Sequence, residues 1–135
     1  RINVIVVVND KIVTVGIQNP SLMILENKDG TLDTSKIYYS PGELSIDTGH
    51  FNKINRLEYK KWRLRFNYIE FLSNGSQTEH EYEATLYSDW NRSRYIILYF
   101  YEMSISKYKK VFLSEDKFVY DIESDIYSVK ALRRL

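Results

Sequence analysis

The strongest constraint on this chain is an alternation with a period of two between Trp62 and Leu86, which specifies two strands and their register. Trp62, Leu64, Phe66 and Tyr68 lie on one face of the first strand, with Arg63, Arg65 and Asn67 on the other. Beyond Ser73-Asn74-Gly75, His80, Tyr82, Ala84 and Leu86 share a face, and Glu79, Glu81, Glu83 and Thr85 share the opposite one. A three-residue loop with Gly75 in the left-handed region pairs Leu72 with Ser76. Trp62 then opposes Leu86, Leu64 opposes Ala84 and Phe66 opposes Tyr82, while Arg65 meets Glu83 and Arg63 meets Thr85. A two-residue Asn74-Gly75 turn would set Phe66 against Glu83. A slip of one residue exchanges the faces, so the pattern selects the longer loop.

The same period organises the rest of the chain. Ile2–Val8 and Lys11–Ile17 read as strands around Asn9-Asp10, and Leu22–Leu25 as a third. Ile37–Tyr39 and Leu44–Ile46 flank the turn pair Pro41-Gly42. The segment Arg94–Met103 is apolar or aromatic on both faces, as a central strand is. Val111–Leu113 and Phe118–Ile122 are predicted to form a hairpin around Ser114–Lys117, and Ile126–Leu132 to form a final strand. His50–Lys61 reads as a loop with one helical turn, from the spacing of Phe51, Ile54 and Leu57. The expectation is an all-β, antiparallel β-sandwich of Ig-like type, with about ten short strands and at most one short helical turn. It covers residues 1–135 as a single domain, with a subdivision near 48–61 as the alternative.

Composition removes several classes of function. The chain has no Cys, hence no disulfide framework and no Cys-based zinc site. Its net charge of +1 creates no global field for nucleic acid or an anionic membrane, and no apolar run is long enough for a membrane span. The first residue is Arg1 rather than Met, as in a processed or truncated chain.

Chemistry-bearing motifs are sparse. Of the two His, His80 lies within Glu79-His80-Glu81, but a strand turns it away from both flanking carboxylates. His50 follows Thr48-Gly49 with no fixed catalytic partner. There is no Gly-x-Ser-x-Gly elbow and no phosphate-binding Gly-rich loop. The chain is therefore expected not to be an enzyme, with no catalytic residues, no cofactor and no metal. Between Lys53 and Arg65 basic residues interleave with aromatics, yet the register buries Trp62 and Phe66 and sets Arg65 against Glu83. Nucleic acid is thus disfavoured. The acidic stretch Glu115–Asp125 lacks the dense Asp-x-Asp loop of a calcium site.

The 12 Tyr residues favour binding over catalysis, because a Tyr side chain joins a large apolar body to a polar tip. Tyr95, Tyr99 and Tyr101 are expected in core or interface, and Tyr38, Tyr39, Tyr87, Tyr108 and Tyr127 at the surface. Tyr38, Tyr39, Tyr87, Asp89, Trp90 and Asn91 form the candidate surface for a ligand or partner. A protein is the expected partner, and a carbohydrate or small ligand the alternative. Ile2–Val8 and Lys11–Ile17, β-prone and scarcely charged, read as edges open to strand pairing.

Three segments carry a family resemblance. Asn9–Pro20, with its strand followed by Gly16-Ile17-Gln18-Asn19-Pro20, resembles the opening of an Ig-like domain in the C-terminal region of the gliding-motility and type IX secretion shaft protein family (GldM/PorM). Trp90–Phe100 is similar to an aromatic strand of that family's last domain, and Asp125–Ala131 to a strand near its end. The resemblance implies a bacterial periplasmic, cell-surface or secreted β-protein that docks to other envelope proteins, with no catalysis. The matching positions carry no functional residues with them.

Overall fold

A computed structural model describes residues 2–87 and 89–135; Arg1, read above as the start of a processed or truncated chain, and Ser88 lie outside it. Ten strands form: β1 Val4–Val8, β2 Lys11–Ile12, β3 Ser21–Asn27, β4 Leu32–Ser40, β5 Glu43–Ile46, β6 Tyr59–Phe71, β7 Gln77–Leu86, β8 Ile96–Glu102, β9 Phe118–Ser124 and β10 Ser128–Val129. They make two five-stranded sheets, in the orders β5-β4-β3-β6-β7 and β10-β9-β8-β1-β2. We call these sheet A and sheet B. Their facing sides share one buried cluster, with Met23, Ile37, Leu64 and Phe66 from sheet A and Val4, Val6, Leu98 and Phe100 from sheet B. The chain is thus an all-β, two-sheet sandwich.

The β6–β7 ladder has the register that its alternation specifies. Trp62 pairs with Leu86, Leu64 with Ala84, Phe66 with Tyr82, Arg65 with Glu83 and Arg63 with Thr85. The Leu72 N–H donates to the Ser76 carbonyl at 2.9 Å across the longer loop. Gly75 has φ of +85°, the conformation which that loop requires. Tyr82 continues inward to sheet B, where its ring stacks on Phe100 at 4.9 Å and meets Phe118 edge-on at 5.2 Å.

Elsewhere the structure departs from the sequence expectations. β1 is an interior strand, paired in parallel with β8 and antiparallel with β2, so Ile2–Val8 is no free edge. It is the parallel pair in an otherwise antiparallel set, and its residues are buried on both faces, as parallel strands usually are. β2 is two residues long, because after Ile12 the chain leaves sheet B and crosses to β6. There Gly16 and Ile69 join through an N–H···O bond of 2.9 Å, and the Gln18 N–H reaches the Asn67 carbonyl at 2.8 Å. The expected 111–113/118–122 hairpin is absent. Phe112 instead bridges to Arg133, and β9 lies between β8 and β10.

Helix content exceeds the single turn expected. α1 spans Thr48–Asn55, its first turn capped by the Asp47 carboxylate, which accepts from the His50 N–H at 3.1 Å. The apolar spacing in this segment is helical after all: Ile54 is fully buried in the shared core and Phe51 packs against it. Leu57 adopts φ of +56° just beyond the helix and faces solvent. A four-residue α2, Ser106–Lys109, and a 3₁₀ turn at Trp90–Arg92 complete the helical elements among the described residues.

Gly16 and Asn19, in the connection between β2 and β3, hold positions that few side chains could fill. Asn19 donates to the Tyr39 carbonyl and accepts from the Tyr39 N–H, both at 2.8 Å, so its amide imitates a neighbouring strand. Gly16 has φ of +100°, and a Cβ there would lie 2.4 Å from the Ile69 carbonyl oxygen. Gly16→Ala is expected to destabilise the fold by about 1–3 kcal/mol or more through strain and collision. Equilibrium urea unfolding measures this, and a midpoint equal to that of the parent would contradict it.

Candidate functional site

The six residues expected to form one surface are dispersed. Tyr38 is exposed on the outer face of sheet A. Tyr39 is a correction, because strand alternation turns it into the core, where its hydroxyl accepts the Val6 N–H at 2.9 Å. Val6 lies past the end of the short β2 ladder, so this hydroxyl satisfies a backbone donor that no strand reaches. Trp90 is a second correction: it is fully buried and meets Trp62 edge-on at 6.4 Å. Tyr87 is half-buried, its hydroxyl bonded to Ser93 and Ser124 and its ring 5.2 Å from Tyr127. Asn91 donates to Asn55 of α1 at 2.8 Å, and Asp89 is exposed beside the 3₁₀ turn. The Tyr87–Asn91 connection therefore fastens sheet A to sheet B and α1, and it does not join Tyr38 in a common site.

Other Tyr residues are redistributed in the same way. Tyr108 is buried rather than exposed, in a second apolar cluster with Met103, Phe112 and Val119 on the outer face of sheet B. Its hydroxyl donates to Asp10 at 2.6 Å, and burial together with this bond pushes its pKa up to about 12. The same bond holds the Asp10 carboxyl below its ordinary value. Tyr95, expected inside, is exposed.

The concave surface lies on the flank where β7, β9 and β10 meet. A groove of about 610 Å³ is lined by Glu83 of β7, Phe118 and Tyr120 of β9, Val129 of β10, and Leu113 and Leu132. A second hollow of about 640 Å³ shares Ser114, Asp116 and Lys117 with it and adds Glu102, Lys109 and Arg134.

The C-terminal segment builds this flank. The buried Asp121 carboxylate receives the Arg133 guanidinium at 2.6 Å and the Ala131 N–H at 2.7 Å, and the guanidinium lies 4.8 Å over the Phe112 ring. Backbone bonds join Leu113 to Leu132 at 2.9 Å and Arg134 to Val111 at 2.8 Å. Phe112 and Arg133 face sheet B, so the alternate residues Val111, Leu113 and Leu132 are left exposed.

Polar clusters elsewhere have structural partners. His80 does turn away from Glu79 and Glu81, and it meets carboxylates of other strands: Glu70 at 3.2 Å and Glu102 at 3.0 Å. Its ring stacks on Tyr82, whose hydroxyl donates to Glu102 at 2.8 Å. Burial and the Glu102 carboxylate push the Tyr82 hydroxyl far up, so it stays protonated. Among the described residues no group of three or more His, Asp or Glu is placed to hold a metal ion. Nor is any helix there long and apolar enough to cross a membrane. On the outer face of sheet A, Glu83 accepts from both Arg63 and Arg65 at 2.8 Å.

The fold and this flank thus define a two-sheet β-protein with a groove of mixed apolar and charged lining beside a sheet edge. Comparison with protein families, with curated proteins and with solved structures returns no match.

The groove residues escaped sequence reasoning because Leu113 and Leu132 look like strand interior. The signal was present in Val111-Phe112-Leu113, where apolar residues in succession cannot all face one core.

Two measurements check these assignments. Trp90→Ala should cost about 3–5 kcal/mol of folding stability as a core truncation; a stable variant would return Trp90 to the surface. Burial pushes the Glu83 carboxyl up, but the bonds from Arg65 and Arg63 outweigh it and hold its pKa below the ordinary value. Its contribution to stability is therefore complete above the unfolded-state value and is lost as pH falls through the folded one. Glu83→Gln should be less stable than the parent at neutral pH, with the gap narrowing as pH falls through the lowered Glu83 value. A pH-independent difference between them would refute the pairing.

Proposed function

We propose that this chain is a non-enzymatic protein-interaction module whose partner docks on the β7–β9–β10 flank. The observation that carries this reading is the exposure of Leu113 and Leu132, 48% and 67%, beside a groove where Phe118, Tyr120 and Val129 are bordered by the charged Glu83, Asp116, Lys117 and Lys130. Burying what each leucine still exposes is worth about 0.7–2 kcal/mol, a gain that an apolar protein segment can collect and a sugar largely cannot. The reading extends to an Ig-like domain of a bacterial cell-envelope assembly in the periplasm or at the cell surface. It draws there on the resemblance of 9–20, 90–100 and 125–131 to the gliding-motility shaft family.

A carbohydrate or small ligand is the second reading, favoured by one feature. Tyr38, 52% exposed, borders a hollow of about 470 Å³ lined also by Lys36, Ser45, Asp47 and His50, an aromatic platform among hydrogen-bonding groups.

Selection of displayed peptides on the immobilised protein, beside a glycan array, separates the two. The expected outcome is enrichment of apolar peptides that Leu113→Glu with Leu132→Glu abolishes, and an empty array. Glycan signals removed by Tyr38→Ala, with no peptide enriched, would replace the first reading by the second.

A further inference from the structure

Sheet A ends in a long edge. β7 spans Gln77–Leu86 and pairs only with β6, whereas β2 and β10, the edges of sheet B, are two residues each. The opposite edge of sheet A, β5, is joined by Ile2, whose N–H and carbonyl bond to Leu44 at 2.9 and 2.7 Å. Among the described residues the β7 edge is held at one end, where the Thr85 N–H donates to the Tyr120 hydroxyl at 3.1 Å.

That bond fixes which backbone groups face outward. Thr85 points away from β6, and the Leu72–Ser76 bond shows that the even-numbered residues of β7 carry the ladder to β6. By the period of two, Gln77, Glu79, Glu81 and Glu83 direct their N–H and carbonyl groups outward. At about 3.3 Å per residue this row is about 20 Å long.

We infer that β7 accepts an extended peptide as a sixth strand of sheet A, and that the peptide alternates apolar residues with Lys or Arg. The inference rests on the protein-interaction reading and names the partner's chemistry. One face of an added strand would cover the groove, meeting Phe118, Tyr120 and Leu132. Its other face would lie beside Glu79 and Glu81, both exposed. Glu79 has no ion pair among the described residues, and Glu81 only a 3.4 Å contact with Arg65. Opposite charges across a ladder are worth about 0.2–1 kcal/mol per pair, and like charges directly opposite are unfavourable. A second copy pairing through its own β7 would set two glutamate rows against each other. The acid row thus selects a basic strand and rejects self-pairing.

The test uses the whole chain and synthetic peptides with isotope-labelled protein. The probes alternate Val or Ile with Lys, or alternate them with Glu. Two further Lys peptides carry backbone N-methyl groups on one or the other set of alternate residues. The Lys peptide should bind about tenfold or more tightly than the Glu peptide. N-methylation of one set should abolish binding and that of the other should leave it intact, because only one edge of the peptide meets β7. The amides of Glu79, Glu81 and Glu83 should gain protection from hydrogen exchange. Glu79→Lys with Glu81→Lys should reverse the preference towards the Glu peptide, and Glu81→Pro should remove binding without disturbing the β6 ladder.

Binding that needs Leu113 and Leu132 but ignores N-methylation would overturn the edge inference while leaving the groove reading in place. Absence of binding by any of these peptides, beside apolar peptides enriched by display, would do the same. A concentration-dependent dimer lost in Glu81→Pro would give the edge to a second copy and also overturn it.

Discussion

Sheet B exists because two strands about 90 residues apart in the chain pair side by side. Val4–Val8 lies along Ile96–Phe100 in register, and this parallel contact joins the β1–β2 ribbon to the β8–β9–β10 meander. Sheet A needs no such closure, since β3 to β7 come from one continuous stretch. The sandwich is thus a local sheet held against a non-local one. Its cross-sheet contacts, Tyr82 on Phe100 and the Tyr39 hydroxyl on the Val6 N–H, all presuppose that β1 and β8 are already neighbours.

This division explains what could be read in advance. The β6–β7 register followed from alternation because each strand has one polar and one apolar face, so a slip is penalised at every position. β1 and β8 lack that contrast: Val6 and Val7 are both buried, and so are Leu98 and Phe100 beside half-buried Tyr99. Such strands announce that they are interior but not which strand they adjoin. Helix α1 was read as a single turn within a loop because its apolar stripe is short and its end is set by Leu57 in a left-handed conformation, where glycine would have been a visible stop. The candidate surface failed at Tyr39 and Trp90 because aromatic residues near turns can insert into the core as easily as leave it. Tyr38 and Tyr39 are adjacent, and alternation puts one on each side of the sheet.

The polar groups form a related pattern. Asp121 with Arg133, Asp10 with Tyr108, Glu102 with His80 and Tyr82, and Asn19 with Tyr39 each join segments distant in sequence. They act as fasteners between pieces of backbone. Glu79, Glu81 and the leucines of the C-terminal segment, by contrast, stay exposed on the flank where an extended edge and a groove coincide.

The parallel pair has a consequence for how the protein comes into being. During synthesis β1 leaves the ribosome long before β8 exists, and sheet A, built from nearby pairings, can assemble in the interval. For that time Ile2–Val8 is an apolar, uncharged strand without its neighbour, apart from Asn3. Such a segment is a hazard for aggregation, and its safety depends on how soon Ile96–Phe100 arrives. The nascent chain is therefore most vulnerable while sheet B is represented by the β1–β2 ribbon alone.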